Sequence, residues 1–314
     1  MDKNARLPNL FICGAAKAGT SSLWYLLGQH PDIFMPEDEL VKEPCYFSNL
    51  VGITDEKEYL NIFAKADNQK YIGEASTAYL TDPASPQRLY DFNPNAKIII
   101  MLRNPIQRAY SLYNWMIQDG YEYARTFEEA LAKETQRQNQ KIPNFFEPQY
   151  YYNYMYFSSG LYYEQVSRYL ELFGHNVFIG LFEDFIKEPR EFLNKLWQFL
   201  EIKPCDNLQE EAKNPSRKVV HTYISFAMRR ITKFKDSVSR YLDRNYQIKL
   251  YNTKEGRDFL LKLVTTKQKP NPIKPDTYKR LREKYKDEYE KIESNLKLNL
   301  DAWRKIDEKF IHRN

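Results

Sequence analysis

Cysteine is scarce in this 314-residue chain, and its scarcity removes a whole class of folds. The three cysteines, Cys13, Cys45 and Cys205, are odd in number and far apart, which excludes a disulfide framework and a thiolate metal cluster. That usage suits a reducing compartment, so a cytoplasmic location is the expectation. No apolar run reaches membrane-spanning length, and Met1-Asp2-Lys3-Asn4-Ala5-Arg6 does not read as a secretory leader. Charge of one sign is also in short supply, since 47 Lys and Arg stand against 42 Asp and Glu for a formal +5. Such a mild excess fits a small anionic ligand and falls far short of a nucleic-acid binder. No internal repeat is apparent. What is present is apolar material, 42% of the residues, enough for a sizeable core and against global disorder.

The apolar segments alternate in type. Strands are expected at residues 10–13, 71–74, 97–102 and 176–182. Ile98-Ile99-Ile100-Met101-Leu102 is continuously apolar, as a strand covered on both faces should be. Helical spacing marks residues 20–29, 83–91, 105–118, 126–139, 161–173 and 188–200. The alternation implies a three-layer α/β/α fold with a central, mostly parallel sheet, whose ligands collect at the carboxyl ends of the strands. The C-terminal third differs: residues 217–254 are basic and aromatic, 265–276 read as a Lys- and Pro-rich connecting loop, and 276–305 as one amphipathic helix. The whole, residues 1–314, is expected to form a single domain with a basic helical region from about 217 to 314.

Chemistry concentrates at the first strand end. Leu10-Phe11-Ile12-Cys13 runs into Gly14-Ala15-Ala16-Lys17-Ala18-Gly19-Thr20-Ser21-Ser22 and then a helix. Strand, glycine loop and helix cradle a phosphate with backbone N–H groups. The triphosphatase pattern would put lysine at position 20, where Thr20 stands, and the lysine lies inside the loop as Lys17. The strand at 97–102 ends in a cation, Arg103, where a triphosphatase would more often place a magnesium-organising aspartate. Asn104 and Pro105 then suit the N-cap and first position of a helix that carries Ser111 two turns in. Arg103 and Ser111 could grip a second phosphate from two sides, or form a surface ion pair and a close-packing small residue. In Lys42-Glu43-Pro44-Cys45-Tyr46-Phe47, Pro44 biases Glu43 toward an extended backbone, and its carboxylate could accept a proton or simply be a surface glutamate. The Tyr-rich run at 145–157 could line an acceptor cleft or pack inside.

Together these elements resemble sulfotransferases that use 3′-phosphoadenosine 5′-phosphosulfate, and within them the heparan-sulfate-type branch. Ser159-Gly160-Leu161-Tyr162 and Leu300-Asp301-Ala302-Trp303 are similar to further landmarks, and the likeness spans residues 9–305. The resemblance implies that Ala16, Lys17, Ala18, Gly19, Thr20, Ser21 and Ser22 hold the 5′-phosphosulfate, with Lys17 catalytic. It implies that Arg103, Ser111 and Tyr162, with Arg217 and Lys218 from a C-terminal loop, serve the 3′-phosphate side. Glu43 becomes the catalytic base, no metal is required, and the acceptor is a hydroxyl or amine, a saccharide among the candidates. Neither nucleic acid nor a membrane span is expected as a partner. This chain departs from the pattern at Cys45, where a histidine is frequent, at Ala75, where a lysine is, and at Asn104, where an aspartate is usual. A P-loop kinase and a catalytically silent nucleotide-binding module are the competing readings.

Overall fold

β1 (Leu10–Gly14), β3 (Tyr71–Ala75) and β4 (Lys97–Leu102) form the centre of a sheet because their side chains are buried on both faces. Every residue of β1 and β3 is buried, and Ile98 to Leu102 of β4 have no exposure at all. The computed structural model describes residues 7–36, 42–49, 51–140, 150–205, 208–209, 218–219, 265–266 and 270–311. These residues fall into two compact units.

The first unit, residues 1–108, 158–214 and 278–314, holds a five-stranded sheet in the order β2-β3-β1-β4-β5. All four pairings are parallel, with β2 (Ile33–Phe34) and β5 (Val177–Leu181) at the edges. Helices flank the sheet: α1 (Thr20–Leu27) packs on β1 and β3, and α7 (Tyr162–Phe173) on β4 and β5. Also in this unit are α2 (Glu56–Asn61), α3 (Ala78–Thr81), α4 (Ser85–Phe92), α8 (Phe182–Lys187) and α9 (Pro189–Leu200). The parallel α/β expectation is met, with two adjustments. β2 is too short for a periodicity signal, and β5 stops at Leu181 because Phe182-Glu183-Asp184 already form the first turn of α8.

The single helix expected over 276–305 is three helices: α10 (Pro275–Lys284), α11 (Lys286–Leu296) and α12 (Asp301–Ile311). Lys297 takes a φ of 57°, which reverses the chain after α11, and the Asn299 side chain accepts the Asp301 N–H at 2.8 Å to start α12. The apolar stripe is real, with Leu281, Tyr285, Tyr289, Ile292, Leu300 and Trp303 all buried, but it belongs to separate rods.

The second unit comprises residues 109–157 and 215–277. It takes α5 (Pro105–Gln118) from Ala109 onward and α6 (Phe127–Gln140). Its core is organised by the buried Glu122, which accepts bonds from the Tyr156 hydroxyl at 2.7 Å and Arg137 at 2.9 Å. β6 (Lys218–Val219) pairs antiparallel with β7 (Thr265–Thr266), so part of the expected 265–276 loop is strand. Most of the basic 217–254 stretch lies outside the described residues.

Candidate active site

In a sheet of this order, connections from β1 and β4 leave in opposite directions, so a crevice opens between their carboxyl ends. The loop after β1 lies there. Its first residue is tied to the neighbouring strand, since the Ala15 N–H donates to the Met101 carbonyl at 2.7 Å. Two positive φ values bend it back toward α1, 69° at Lys17 and 83° at Gly19. Glycine is required at 19 for a second reason: a Cβ there would meet Phe182 Cδ2 at 2.8 Å. No side chain caps the start of α1, and no acidic residue occupies its first turn. Uncapped amides and the positive end of the helix dipole fit an anion such as the 5′-phosphate of a nucleotide donor. Lys17, Ala16, Gly19, Ser21 and Ser22 are half-buried, whereas Ala18 and Thr20 are buried.

Arg103 joins this loop directly. Its Nη1 donates to the Lys17 carbonyl at 2.9 Å, and its guanidinium lies 4.6 Å over the Phe182 ring. Burial pulls the Arg103 pKa down, and the Glu183 carboxylate opposes that pull. A guanidinium has five N–H donors, so the bond to the loop leaves capacity for an anion. The strand end that carries Arg103 is pinned from behind. The Tyr162 hydroxyl donates to the Arg103 carbonyl at 2.9 Å, and burial lifts that phenol to about 12. Tyr162 therefore acts on the backbone of the site.

Asn104 is the centre of a buried polar knot. Its Oδ1 accepts the N–H groups of Ile106 and Gln107, both at 3.1 Å, and so caps α5 as the sequence suggests. Its Nδ2 donates to Asp307 at 2.9 Å and to the Tyr289 hydroxyl at 3.1 Å. Asp307 also accepts from the Tyr278 hydroxyl at 2.7 Å and pairs with Arg282 at 2.7 Å. The Asn104 N–H donates to Glu183 at 3.0 Å, and Trp303 Nε1 donates to the other oxygen of that carboxylate at 2.8 Å. The C-terminal helix thus braces the Arg103 strand end through Trp303 and Glu183.

Glu43 sits on the other side of the loop helix. Lys42 Nζ donates to Ser21 Oγ at 2.8 Å and to Glu43 Oε1 at 3.3 Å, bridging the first turn of α1 to the carboxylate. The Lys42 side chain is 10% exposed and that of Glu43 40%, so the cation is sheltered and the carboxylate open to solvent. Glu43 Oε2 accepts the Thr77 hydroxyl at 2.9 Å and the Thr77 N–H at 3.3 Å. Behind it lies a fully buried carboxyl, Glu74, which accepts from Ser76 at 2.5 Å and from Tyr59 and Tyr79 at 2.9 Å each. Burial lifts Glu74 from 4.5 to about 7, against these hydroxyl donors.

Lys17, Arg103, Tyr162, Ser21 and Glu43 are therefore brought together at the ends of β1, β3 and β4. Ser111 lies half-buried on α5 within the second unit. Arg217 falls outside the described residues, and of Lys218 only its backbone in β6 is described. In the Tyr-rich run, Tyr150, Tyr154 and Tyr156 are buried in the core of the second unit, and 145–149 fall outside the described residues. The sequence alone assigns no role to Lys42, Thr77 or Asp307. Adjacency to Glu43 was the one available signal for Lys42, and none existed for partners 34 or more residues away.

Comparison with known proteins adds an independent line. A family model described as Sulfotransferase domain matches residues 7–292. A crystal structure of a sulfotransferase from Alicyclobacillus acidocaldarius superposes with a TM-score of 0.67 and 30% identity, covering 95% of this chain and 99% of that one. The chain is 37% identical over 114 residues to the membrane-associated sulfotransferase kil1 of Dictyostelium discoideum, which is 36% of this chain and 24% of that protein. It is 34% identical over 113 residues to the human bifunctional heparan sulfate N-deacetylase/N-sulfotransferase 1, 34% of this chain and 13% of the relative. Human carbohydrate sulfotransferase 15 is 25% identical over 258 residues, covering 65% and 45%. The chain thus spans less than half the length of these curated relatives. No helix among the described residues is long and apolar enough to cross a membrane.

Proposed function

The chain belongs to the sulfotransferase domain family, and on that premise we propose that it moves a sulfuryl group from 3′-phosphoadenosine 5′-phosphosulfate to an acceptor hydroxyl or amine. The observation that carries this reading is the pair of bridges across the loop of β1: Arg103 to Lys17 at 2.9 Å on one side, and Ser21 to Lys42 to Glu43 on the other. A cation for a phosphate and a carboxylate for a proton thereby flank one uncapped helix N-terminus. The donor supplies the activated sulfuryl group, and this chain supplies positioning and charge.

The amides from Gly19 to Ser22 hold the 5′-phosphate, with Ala16, Ala18 and the hydroxyls of Thr20, Ser21 and Ser22 lining the same loop. Lys17 balances the charge left on the bridging oxygen as its bond to sulfur breaks. Glu43 takes the proton of the acceptor as the acceptor's oxygen or nitrogen bonds to sulfur. Arg103 binds the 3′-phosphate, with Tyr162 holding the strand end. No metal is part of this scheme. The names of the heparan sulfate and carbohydrate relatives support a carbohydrate acceptor. Both units belong to one sulfotransferase domain in this reading, which the family match supports by running through segments of each. A reducing, cytoplasmic location belongs to the same reading and is supported by the unpaired thiols of Cys13, Cys45 and Cys205.

Calorimetry with adenosine 3′,5′-bisphosphate and with ATP plus magnesium tests the donor assignment. The bisphosphate is expected to bind and ATP to bind more weakly; the reverse order would point to a kinase. Labelled donor incubated with saccharide acceptors then tests turnover, which Lys17→Ala and Glu43→Gln should each lower by about 10²-fold. Full turnover by a folded Glu43→Gln protein would remove the base from this scheme.

A further inference from the structure

We propose that Thr77, at the end of β3, is a positioning residue that aims the Glu43 carboxylate; the proposal rests on Glu43 being the base. The Glu43 side chain is long and 40% exposed, so packing alone does not hold it in one rotamer. Two polar groups restrict it. Lys42 holds Oε1 at 3.3 Å, and Thr77 holds Oε2 twice, through its hydroxyl at 2.9 Å and its N–H at 3.3 Å. A carboxylate has about four lone-pair sites, so three donors leave room for an incoming acceptor proton.

Thr77 can do this because its own segment is anchored. Ser76 points inward and donates to the buried Glu74 at 2.5 Å, while its oxygen accepts the Cys45 N–H at 3.0 Å. Ser76 therefore ties β3 to the turn that follows Glu43. In that turn Cys45 has a φ of 51°, a conformation that a side-chain-bearing residue adopts only when its surroundings enforce it. The neighbouring residue, Thr77, emerges on the solvent side and meets the carboxylate. One β3 terminus thus fixes both the backbone entering the site, through Ser76, and the carboxylate itself, through Thr77.

The variants Thr77→Val, Thr77→Ser and Glu43→Gln separate this from its premise. Transfer from labelled donor is followed with heparosan, chondroitin, 2-naphthol and water as acceptors, and the fastest is used for all proteins. Thr77→Val keeps shape and loses the hydroxyl; kcat is expected to fall about tenfold with KM for donor changed by less than about twofold. Thr77→Ser restores the hydroxyl and should recover kcat to within about threefold. A crystal structure of Thr77→Val with adenosine 3′,5′-bisphosphate supplies a second readout, in which the Glu43 carboxylate is expected to leave its place beside residue 77. Wild-type kcat in Thr77→Val, or an unmoved carboxylate, overturns the positioning role. Wild-type kcat in Glu43→Gln instead overturns the base assignment on which it rests.

Discussion

Asn104→Asp is the substitution that discriminates most sharply, because it installs the residue usual in the resembling family and should nevertheless harm this protein. Asn104 is fully buried, and its Nδ2 donates to Asp307 at 2.9 Å. Aspartate at 104 can still cap α5, since the oxygen that accepts from Ile106 and Gln107 is retained. It replaces the donor toward Asp307 with a second carboxylate oxygen. Two unit charges about 4 Å apart at an effective dielectric near 20 repel by about 4 kcal/mol. The protein escapes part of that by taking up a proton, and escape has a calculable cost. Holding at pH 7 a carboxyl that ionises near 3.9 when unfolded costs about 1.4 kcal/mol per pH unit, again about 4 kcal/mol. At pH 5 the same cost is about 1.5 kcal/mol.

The folded-state pKa of the new carboxyl is raised above its unfolded value. The folded variant therefore binds more protons than its unfolded chain over that interval, and its stability falls as pH rises from about 4. Urea denaturation of wild type and variant at pH 5, 6, 7 and 8 reads this directly. A deficit of about 1–2 kcal/mol at pH 5 that grows to about 3–4 kcal/mol at pH 7 is expected. Adding Asp307→Asn to the variant should recover part of the loss by restoring one donor between the two positions. A deficit under about 1 kcal/mol at pH 7 with no dependence on pH would refute the buried contact.

Glu74→Gln tests the second buried carboxyl. Glu74 is lifted by burial from 4.5 to about 7, so the folded protein keeps a proton that the unfolded chain releases. Wild-type stability should fall between pH 4.5 and 7 by on the order of 3 kcal/mol, and Glu74→Gln should remove that slope in paired urea titrations. Equal slopes in the two proteins would mean that Glu74 is ionised throughout. Arg103→Ala should weaken adenosine 3′,5′-bisphosphate binding by about tenfold or more in calorimetry, because it removes a charged donor from the site. Unchanged affinity in Arg103→Ala would place the 3′-phosphate elsewhere. Trp303→Phe keeps an aromatic side chain, smaller by the pyrrole ring, and loses the bond to Glu183 at 2.8 Å. A smaller loss of bisphosphate affinity than in Arg103→Ala is expected, with the enthalpy of binding as the readout. No change at all would show that the C-terminal helix does not brace the strand end.

Much of the β1 loop and of the β4 end is legible in the sequence. An apolar strand followed by a glycine loop and a helix is a local pattern, and Gly14, Lys17, Gly19 and Thr20 lie within seven residues. Arg103, Asn104 and Pro105 are likewise consecutive, and the strand and helix around them matched expectation at 97–102 and 105–118. The C-terminal helices were less legible. Their apolar spacing persists across 281–300, so periodicity alone joined rods that the left-handed Lys297 separates. The surroundings of Glu43 are legible only in its place beside Lys42, because its other partner, Thr77, comes 34 residues later.

Local sequence alone determined the parallel α/β class, the phosphate-type loop and the cationic end of β4, because each depends on side chains a few residues apart and on backbone preferences they set. Tertiary structure alone decided which groups meet. Strand order put β1 between β3 and β4, so Arg103 reached Lys17, Thr77 reached Glu43, and Asp307 took up the amide of Asn104. The reason is physical: hydrogen bonds and ion pairs act over a few ångströms, and only folding brings residues 30 to 200 positions apart within that range.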